Sequence, residues 1–285
     1  MTSPGAASPV AFQGEPGAYS QMAIFELLGD RTPTLACRTF RETFEAVRSG
    51  AAGRALVPIE NSTAGSINDT YDLLHSHDLT IVGETYLRVV HCLLALKDVD
   101  PASLRVVTSH PQALAQCEEF LSRLPAEKRA VYDTAGSAKA LAESGREDEG
   151  AVASALAASI YGLAILRQGI ESDRANTTRF ILVAREPVES ASPAKTSISF
   201  QLPHRPGALH DALLPFARRG VNLTKLESRP WPGRPFEYVF YIDLEGAAAD
   251  LSLREAIEEL ARSVQSLRVL GSYRAASPAG SRRGG

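Results

Sequence analysis

The sequence has few cysteines and no pattern that would pair them. Its 285 residues include three, Cys37, Cys92 and Cys117. Their number is odd and no Cys-x-x-Cys pair occurs, which argues against both a disulfide framework and a zinc site. No cluster of His, Cys and Asp has the spacing of another metal site, so we expect no metal.

A block of basic residues and a long apolar run are also missing. The formal net charge is −3 at pH 7 and the basic residues are dispersed, which argues against a nucleic-acid partner. No apolar stretch approaches the ~20 residues that a membrane span needs. Residues 1–9 show no basic segment followed by an apolar one, so no secretory signal is expected. We expect a cytoplasmic protein that handles small molecules without a membrane partner.

Nucleotide-binding signatures are absent as well. Gly14-Glu15-Pro16-Gly17 separates a predicted strand, residues 10–13, from a predicted helix, residues 18–28. Backbone N–H groups in such a turn suit an anion. The glycine spacing is not that of a dinucleotide fingerprint, and a P-loop lysine is missing. The turn therefore predicts either an anion site or a simple chain reversal, and no nucleotide cofactor.

What the sequence does contain is a series of strand–turn–helix units typical of an α/β protein. Hydrophobic residues make up 44% and charged residues 22%, as in soluble globular proteins. The units fill two blocks, and the chain crosses between them near residues 85 and 172. This predicts a domain over residues 9–186 with two lobes and a ligand cleft between them, lobe one being residues 9–84 and 175–186 and lobe two residues 85–174.

The remainder of the chain predicts a second, smaller domain. Residues 187–194 contain proline and serine and are interpreted as a linker. Residues 195–274 alternate in the order βαββαβ, which is the ferredoxin-like arrangement. Residues 275–285, rich in Gly, Ser and Arg, are expected to be a disordered tail.

Two polar stretches lie where a ligand site is expected. Glu60-Asn61-Ser62-Thr63-Ala64-Gly65-Ser66 follows a predicted strand, at the strand end where open α/β sheets bind ligands. A turn that only caps a helix needs one such residue, so we favour a site. Asn176-Thr177-Thr178 precedes the short apolar run 180–184, which predicts a buried strand that would fix these side chains. The alternative for this second stretch is an ordinary strand edge.

Several stretches together resemble the prephenate dehydratase family and its regulatory ACT domain. In the larger domain they are residues 12–20, 60–67, 109–117 and Thr178-Arg179-Phe180. In the smaller domain they are Gly207-Ala208-Leu209 and Glu227-Ser228-Arg229-Pro230. The resemblance spans residues 12–273 in family order. It implies a two-lobed domain like the type II periplasmic binding proteins, followed by a ferredoxin-like ACT domain.

The resemblance also implies an activity. The family converts prephenate to phenylpyruvate in L-phenylalanine biosynthesis, without a cofactor and under feedback control by phenylalanine. Because a ferredoxin-like unit this small exposes sheet edges, we expect a homodimer or homotetramer with paired ACT domains. Arogenate dehydratases are a sister group that the sequence resembles nearly as well. A two-lobed amino-acid or solute sensor without chemistry is the alternative from another functional class.

By this resemblance Thr178 acts on the leaving hydroxide, and we interpret its role as hydrogen-bond donation rather than full proton transfer. Glu60 is interpreted as an orienting residue, and Arg179 either binds substrate or pairs with a carboxylate. The predicted catalytic residues are Thr178, Asn61, Gln116, Ser109 and Glu60. The predicted substrate-binding residues are Ser62, Thr63, Gly65, Ser20, Thr177 and Arg179.

A phenylalanine site is predicted in the ACT domain, the alternative being a purely structural dimerisation module. Gly207 would let a ligand approach the backbone, and Asn222 would accept a hydrogen bond from its ammonium. Arg229 is expected to act through an ion pair. The predicted allosteric residues are Gly207, Ala208, Leu209, Asn222, Leu223, Glu227, Ser228, Arg229 and Pro230.

Four other residues are given structural roles. His75 and His77 lack a third ligand nearby and are expected to face solvent. His110 is interpreted as a helix-entry residue, and Cys117 as a small core residue.

Overall fold

The computed structural model describes residues 8–187, 194–231 and 234–277. Within these residues the strands and helices follow one another in the order below. They are β1 (Val10–Gln13), α1 (Tyr19–Leu28), β2 (Thr34–Cys37), α2 (Phe40–Ser49), β3 (Arg54–Asn61), β4 (Gly65–Ser66), α3 (Asn68–Ser76), β5 (Thr80–Arg88), β6 (Cys92–Ala95), β7 (Val106–Ser109), α4 (Pro111–Gln116), α5 (Glu118–Leu121), β8 (Glu127–Ala130), α6 (Thr134–Ser144), β9 (Glu149–Ala153), α7 (Ala155–Tyr161), β10 (Ala164–Gln168), β11 (Thr177–Ala184), β12 (Ala194–Gln201), α8 (Ala208–Arg218), β13 (Leu223–Pro230), β14 (Tyr238–Glu245), α9 (Leu251–Ala261) and β15 (Ser266–Arg274).

The first sheet has the strand order β2-β1-β3-β11-β5, with β4 paired to β3. Strand β1 runs parallel to β2 and β3. Helix α2 is capped at both ends: the Thr39 hydroxyl accepts a hydrogen bond from the Glu42 N–H, and Gly50 ends the helix with a φ of 83°. Phe44 and Val47 on its inner face are fully buried.

The second sheet has the strand order β10-β6-β9-β7-β8. Its core contains Leu93, Val107, Leu114 and Val152. Its edge strand β8 covers Glu127–Ala130, and every residue of it is exposed. Because no residue of β8 is buried, its sequence carries no alternation to detect.

Strands β1 to β5 belong to the first sheet, β6 to β10 to the second, and β11 returns to the first. The chain therefore leaves the first sheet after β5, whose last residue is Arg88, and returns to it between β10 and β11. Strands β12 to β15 form a third, antiparallel sheet in the order β13-β14-β12-β15. With α8 and α9 this is the predicted βαββαβ arrangement, so the fold class is confirmed.

The chain divides into two compact units. One contains the described residues up to Ser66 together with Thr85–Phe180, and the other contains Ile67–Glu84 together with Ile181–Ser277. Residues 67–84, which the sequence places in lobe one, thus pack with the ferredoxin-like sheet. The predicted linker overlaps residues 188–193, which lie outside the described residues, and Ala194 already begins β12. Of the predicted tail, only residues 275–277 are described.

In the second unit, one face of the ferredoxin-like sheet is apolar and the other is polar. The apolar face packs on α8 and α9 through Phe200, Phe216, Ile242 and Leu260. The other face contacts residues 67–84, and the Tyr241 hydroxyl donates to the Tyr71 carbonyl at 3.1 Å.

Glycine is required at position 271 on that polar face. A Cβ there would lie 2.0 Å from the Ile81 carbonyl oxygen. The close approach of β15 to the residues of β5 in this unit therefore depends on Gly271.

Candidate active site

The loop at residues 60–66 is a tight hairpin built around one side chain. Glu60 pairs with Ser66 and Asn61 with Gly65 across β3 and β4. The Asn61 Oδ1 accepts hydrogen bonds from the Thr63 N–H at 3.0 Å and the Ala64 N–H at 2.9 Å. Asn61 thereby holds the turn in place from a position that is 5% exposed.

This hairpin is joined directly to the second predicted stretch. The Ser62 N–H donates to the Thr177 carbonyl at 2.9 Å. The Ser62 hydroxyl donates to the Ala175 carbonyl at 3.2 Å and accepts from the Thr177 N–H at 3.0 Å. Two stretches more than a hundred residues apart, both selected from the sequence, are therefore brought together.

Asn61 also fixes the hydroxyl of Thr178. Since backbone N–H groups can only donate, the Asn61 atom that receives them must be its oxygen, and the other atom must be its NH2 group. That NH2 group lies 2.9 Å from the Thr178 Oγ1 and 2.8 Å from the Asn176 Oδ1. Thr178 therefore accepts from Asn61, and its own hydroxyl proton must point in another direction.

Asn176 is a site residue that the sequence interpretation left out of its list. It is 1% exposed, and its Nδ2 has no hydrogen-bond partner among the described residues. Its place in the sequence, two residues before Thr178, is the only signal that could have selected it.

A second polar cluster contains Gln116 and two residues that the sequence did not indicate, Tyr19 and His91. The Tyr19 hydroxyl lies 2.8 Å from the His91 Nδ1, and the His91 Nε2 lies 2.9 Å from the Gln116 Oε1. The three residues come from α1, the β5–β6 connection and α4, so no local pattern joins them.

The chemistry of this cluster follows from its burial. Burial lowers the pKa of the His91 imidazole, with Gln116 and Glu171 opposing the shift, so the ring is neutral at pH 7. With the Gln116 oxygen facing Nε2, the ring proton lies on Nε2 and Nδ1 is an acceptor. The single Tyr19 hydroxyl proton is then shared between Nδ1 at 2.8 Å and the Val90 carbonyl at 3.0 Å. Burial raises the pKa of the Tyr19 phenol well above its usual value, which keeps the proton on that donor.

A buried carboxylate lies behind His91. The Glu171 side chain is 1% exposed, and its Oε2 accepts from the His91 N–H at 2.9 Å. Burial and this carboxylate raise the pKa of the Cys92 thiol to about 11 and that of Cys117 to about 12. Neither sulfur is a thiolate at neutral pH, and the interpretation of Cys117 as a core residue is confirmed.

The remaining predicted substrate-site residues take different positions. Ser109 is fully buried, and its hydroxyl donates to the Val152 carbonyl at 2.6 Å. Ser20 is buried in the first turn of α1, and Arg179 is buried in β11. Glu60 is half-buried, whereas Thr63 and Gly65 are exposed on the hairpin.

The glycine turn before α1 is anchored within its own unit. Gly17 has a φ of 93°, and a Cβ there would lie 2.6 Å from the Ala157 Cα, so only glycine fits. Its carbonyl accepts from the Ser154 hydroxyl at 2.6 Å, and its N–H donates to the Gln21 Oε1 at 2.7 Å. That N–H is therefore already used within the chain.

The predicted allosteric residues lie at the start of α8 and along β13. Gly207 has a φ of 77° and precedes α8, Asn222 is exposed just before β13, and Leu223 begins that strand. Of the remainder, Ala208 and Leu209 open α8, while Glu227, Ser228, Arg229 and Pro230 form the second half of β13. Arg229 forms the predicted ion pair, with Asp72 at 3.2 Å.

Two histidine interpretations were wrong and one was confirmed. His77 is 6% exposed, with its Nδ1 3.0 Å from the Leu73 carbonyl, because residues 67–84 pack against the ferredoxin-like sheet. His75 is half-buried and makes an edge contact with Trp231 at 4.7 Å between ring centroids. His110 does open α4, where its Nδ1 accepts from the Gln112 N–H at 3.2 Å.

No group of three His, Cys, Asp or Glu side chains in the described part of the chain could hold a metal ion. Within the same residues, no helix is long and apolar enough to cross a membrane.

The two α/β sheets, the neutral donors gathered at a chain crossing and the ferredoxin-like module define a small-molecule enzyme with a regulatory domain. A model of the prephenate dehydratase family matches residues 10–188, and a model of the ACT domain matches residues 196–262. The chain belongs to the prephenate dehydratase family, whose members are carbon–oxygen lyases.

Three similar proteins carry names that bear on the activity. Arogenate dehydratase/prephenate dehydratase 2 of Arabidopsis thaliana, a chloroplastic protein, is 47% identical over 275 residues, which is 93% of this chain and 72% of that protein. A solved prephenate dehydratase from Arthrobacter aurescens in complex with L-Phe is 33% identical, with a TM-score of 0.86 and coverage of 94% of this chain and 90% of that one. A solved structure described as a novel type of quorum quenching acylase is 40% identical, with a TM-score of 0.86 and coverage of 94% and 98%.

Proposed function

We propose that this chain converts prephenate to phenylpyruvate, releasing carbon dioxide and water, under control by phenylalanine. The observation that carries the proposal is the hydrogen bond of 2.9 Å from the Asn61 NH2 group to the Thr178 Oγ1. Because Asn61 is the donor in this bond, the Thr178 hydroxyl proton is left for another group, and a departing hydroxide needs such a donor.

The reaction requires a donor to the leaving hydroxide and no electron acceptor. The bond between the ring and the carboxylate breaks, its electron pair enters the ring, the ring carbon–oxygen bond breaks, and one proton joins the hydroxide to give water. Because the ring becomes aromatic, no cofactor has to accept electrons. A well-aimed donor to a developing oxyanion typically contributes ~10²–10³-fold to turnover. The Thr178 alcohol is too weak an acid to give up its proton at rest, so a hydrogen bond is its role.

The neutral character of the site suits a substrate that must lose a carboxylate. The side chains bonded to one another at Thr178 are the amides of Asn61 and Asn176, and the Ser62 hydroxyl on the hairpin bonds the backbone of Ala175 and Thr177 nearby. A cation gripping the departing carboxylate would stabilise the ground state more than the transition state. Neutral donors avoid that penalty.

Arogenate is the second candidate substrate, because one of the similar proteins is named for both activities. The two substrates share the ring and differ in the keto or amino group of the side chain. Purified protein should be given each substrate in parallel, with phenylpyruvate and phenylalanine quantified by chromatography. The proposal predicts higher kcat/KM for prephenate, and a clear preference for arogenate would reverse the assignment.

An acylase activity is a separate possibility raised by one similar structure. Amide hydrolysis through an alcohol requires a base beside the nucleophile. The Thr178 hydroxyl is bonded to an amide, and both ring nitrogens of His91 are occupied by Tyr19 and Gln116. The geometry therefore favours the dehydratase, and a chromogenic N-acyl anilide assay with the same preparation should show no release of the chromophore.

Regulation completes the proposal. Phenylalanine binds at the turn before α8 and the start of β13, where Gly207 and Asn222 lie. Strands β13 and β15 are the edges of their sheet, with Leu226 46% exposed and Val269 43% exposed. Such edges favour pairing with a second copy, so the active form is a homodimer or homotetramer with paired ACT domains. Light scattering at increasing protein concentration tests this, and a monomer throughout would contradict it.

The location is also part of the proposal. The three cysteines are free and buried, which fits a reducing compartment such as the cytoplasm. Cell fractionation with an antibody to the chain tests this.

A further inference from the structure

Asn176 is held rigidly, from its backbone as well as its side chain. Its N–H donates to the Asp173 carbonyl at 3.2 Å, and its carbonyl accepts from the Val89 N–H at 2.9 Å. The side chain is 1% exposed and reaches Asn61 at 2.8 Å. The Asn176 amide therefore has one fixed position beside Asn61, the residue that donates to the Thr178 hydroxyl.

The orientation of the Asn176 amide follows from that of Asn61. Two backbone N–H groups fix the Asn61 oxygen, so its NH2 group faces Asn176 and Thr178. The Asn176 atom facing an NH2 group has to be an acceptor, which makes it Oδ1. The Asn176 Nδ2 is then the atom left without a partner among the described residues.

An unpartnered buried donor costs stability, and folded proteins rarely keep one without a reason. A leucine of similar volume would fill the same space without that cost. The two atoms of the amide therefore have to be explained separately. Oδ1 supplies an acceptor for one of the two Asn61 protons. The other proton has the Thr178 Oγ1 at 2.9 Å and, more distantly, the Thr177 carbonyl at 3.5 Å, so the Thr178 oxygen is its better acceptor.

We propose that Asn176 is a positioning residue for the dehydration: its Oδ1 fixes the Asn61 amide, which in turn directs the Thr178 proton toward the leaving group. Its Nδ2 is the donor that a bound substrate oxygen satisfies. The inference rests on the proposed dehydratase activity. It adds Asn176 as a residue that acts through Asn61. Loss of its Oδ1 should lower kcat, and loss of its Nδ2 should raise KM.

Two substitutions separate the two atoms. Asn176→Leu removes both, so one proton of the Asn61 NH2 group loses its acceptor and the hydrogen bond to Thr178 is less well directed. We expect kcat to fall about tenfold, less than the ~10²–10³-fold of losing an aimed donor outright. Asn176→Asp keeps an oxygen facing Asn61 in either protonation state, so kcat should stay within about threefold of the parent. Its KM should rise, because the Nδ2 donor is replaced by an oxygen that repels an anionic substrate.

The structure provides a matched control. Gln201 is another buried amide, 6% exposed, whose Oε1 accepts from Ser266 at 2.8 Å and whose Nε2 has no partner in the described part of the chain. It lies in β12, in the other unit. Gln201→Leu removes the same kind of group and should leave kcat and KM unchanged.

A double-substitution cycle measures the coupling between Asn176 and Thr178 in kcat, which a purely structural role of Asn176 would leave at zero. If Asn176 acts through Thr178, then Asn176→Leu should cost little further kcat once Thr178→Ala is present, since coupled residues are not additive. Additive losses in the cycle, an unaffected Leu variant, or an Asp variant as slow in kcat as the Leu variant would each overturn the inference. A parent protein that forms no product from prephenate or arogenate would instead refute the proposed function, and the inference with it.

Discussion

The Arg229 Nη2 in β13 lies 3.2 Å from the Asp72 Oδ2 in α3. Helix α3 begins at Asn68, directly after the hairpin that carries Asn61. The same helix is held at its other end, where the Arg268 guanidinium donates to the Leu74 and His77 carbonyls at 3.0 Å each. The ferredoxin-like sheet therefore holds helix α3 at both ends, and we expect regulation by phenylalanine to use this contact as a route.

Asp72→Asn should weaken the response to phenylalanine and spare uninhibited turnover. Allosteric coupling is typically on the order of 1–3 kcal/mol, and loss of the ion pair should remove part of it. Inhibition curves should shift to higher phenylalanine by about fivefold or more. Glu237→Gln, which breaks the exposed pair with Arg234 in the same unit, is the control and should leave the curve in place. An unchanged curve for the Asp72 variant would exclude this route.

Removing Lys195 alone should destabilise the protein, whereas removing Lys195 and Glu84 together should cost much less. The two groups are 2.6 Å apart, with side chains 8% and 0% exposed. Lys195→Met leaves a buried carboxylate without its cation, which typically costs ~3–5 kcal/mol. Urea unfolding should show that loss and a large recovery when Glu84→Leu is added. A Lys195 variant as stable as the parent would show that water or another group compensates.

His91 should make stability depend on pH. Its pKa in the folded state lies below the usual 6.5 because the ring is buried, so on acidification the unfolded chain takes up a proton that the folded chain excludes. Stability should therefore fall as pH decreases below about 6.5. The groups facing the ring are Tyr19, Gln116 and Glu171.

Other groups also contribute to that slope, so the comparison needs variants. Burial lowers the pKa of His75 as well, which makes His75→Gln the matched control for His91→Gln. Each substitution should reduce the loss of unfolding free energy between pH 7.5 and pH 5.5, and the buried His91 should have the larger effect. A His91 variant with the parent's slope would show that the ring is not held neutral.

The thiols should be inert in the native protein. All three cysteines are buried and free, and burial raises the pKa of Cys37 as it does for Cys92 and Cys117. Because only the thiolate reacts, a disulfide reagent should modify almost none of them at pH 7.5 and all of them in denaturant. Rapid labelling of Cys92 or Cys117 in the native protein would contradict the burial of the polar cluster around His91, and rapid labelling of Cys37 would contradict the burial of the end of β2.

Local patterns predicted the elements and the location of the hairpin site, because caps, alternation and strand-end loops are visible in short windows. The polar stretch at residues 60–66, selected because it follows a predicted strand, does contact the stretch that contains Thr178. The Tyr19–His91–Gln116 cluster could not be found this way, since its members are 72 and 25 residues apart. The burial of His77 and the grouping of residues 67–84 with the ACT domain likewise depend on packing between distant segments.

Removing the Thr178 hydroxyl tests the central claim most directly. Turnover of prephenate to phenylpyruvate should be measured for the parent, Thr178→Ser and Thr178→Ala, with folding checked by circular dichroism. The serine keeps the hydroxyl and should retain most activity, whereas the alanine should lose ~10²–10³-fold in kcat. A folded alanine variant within fivefold of the parent would contradict the account.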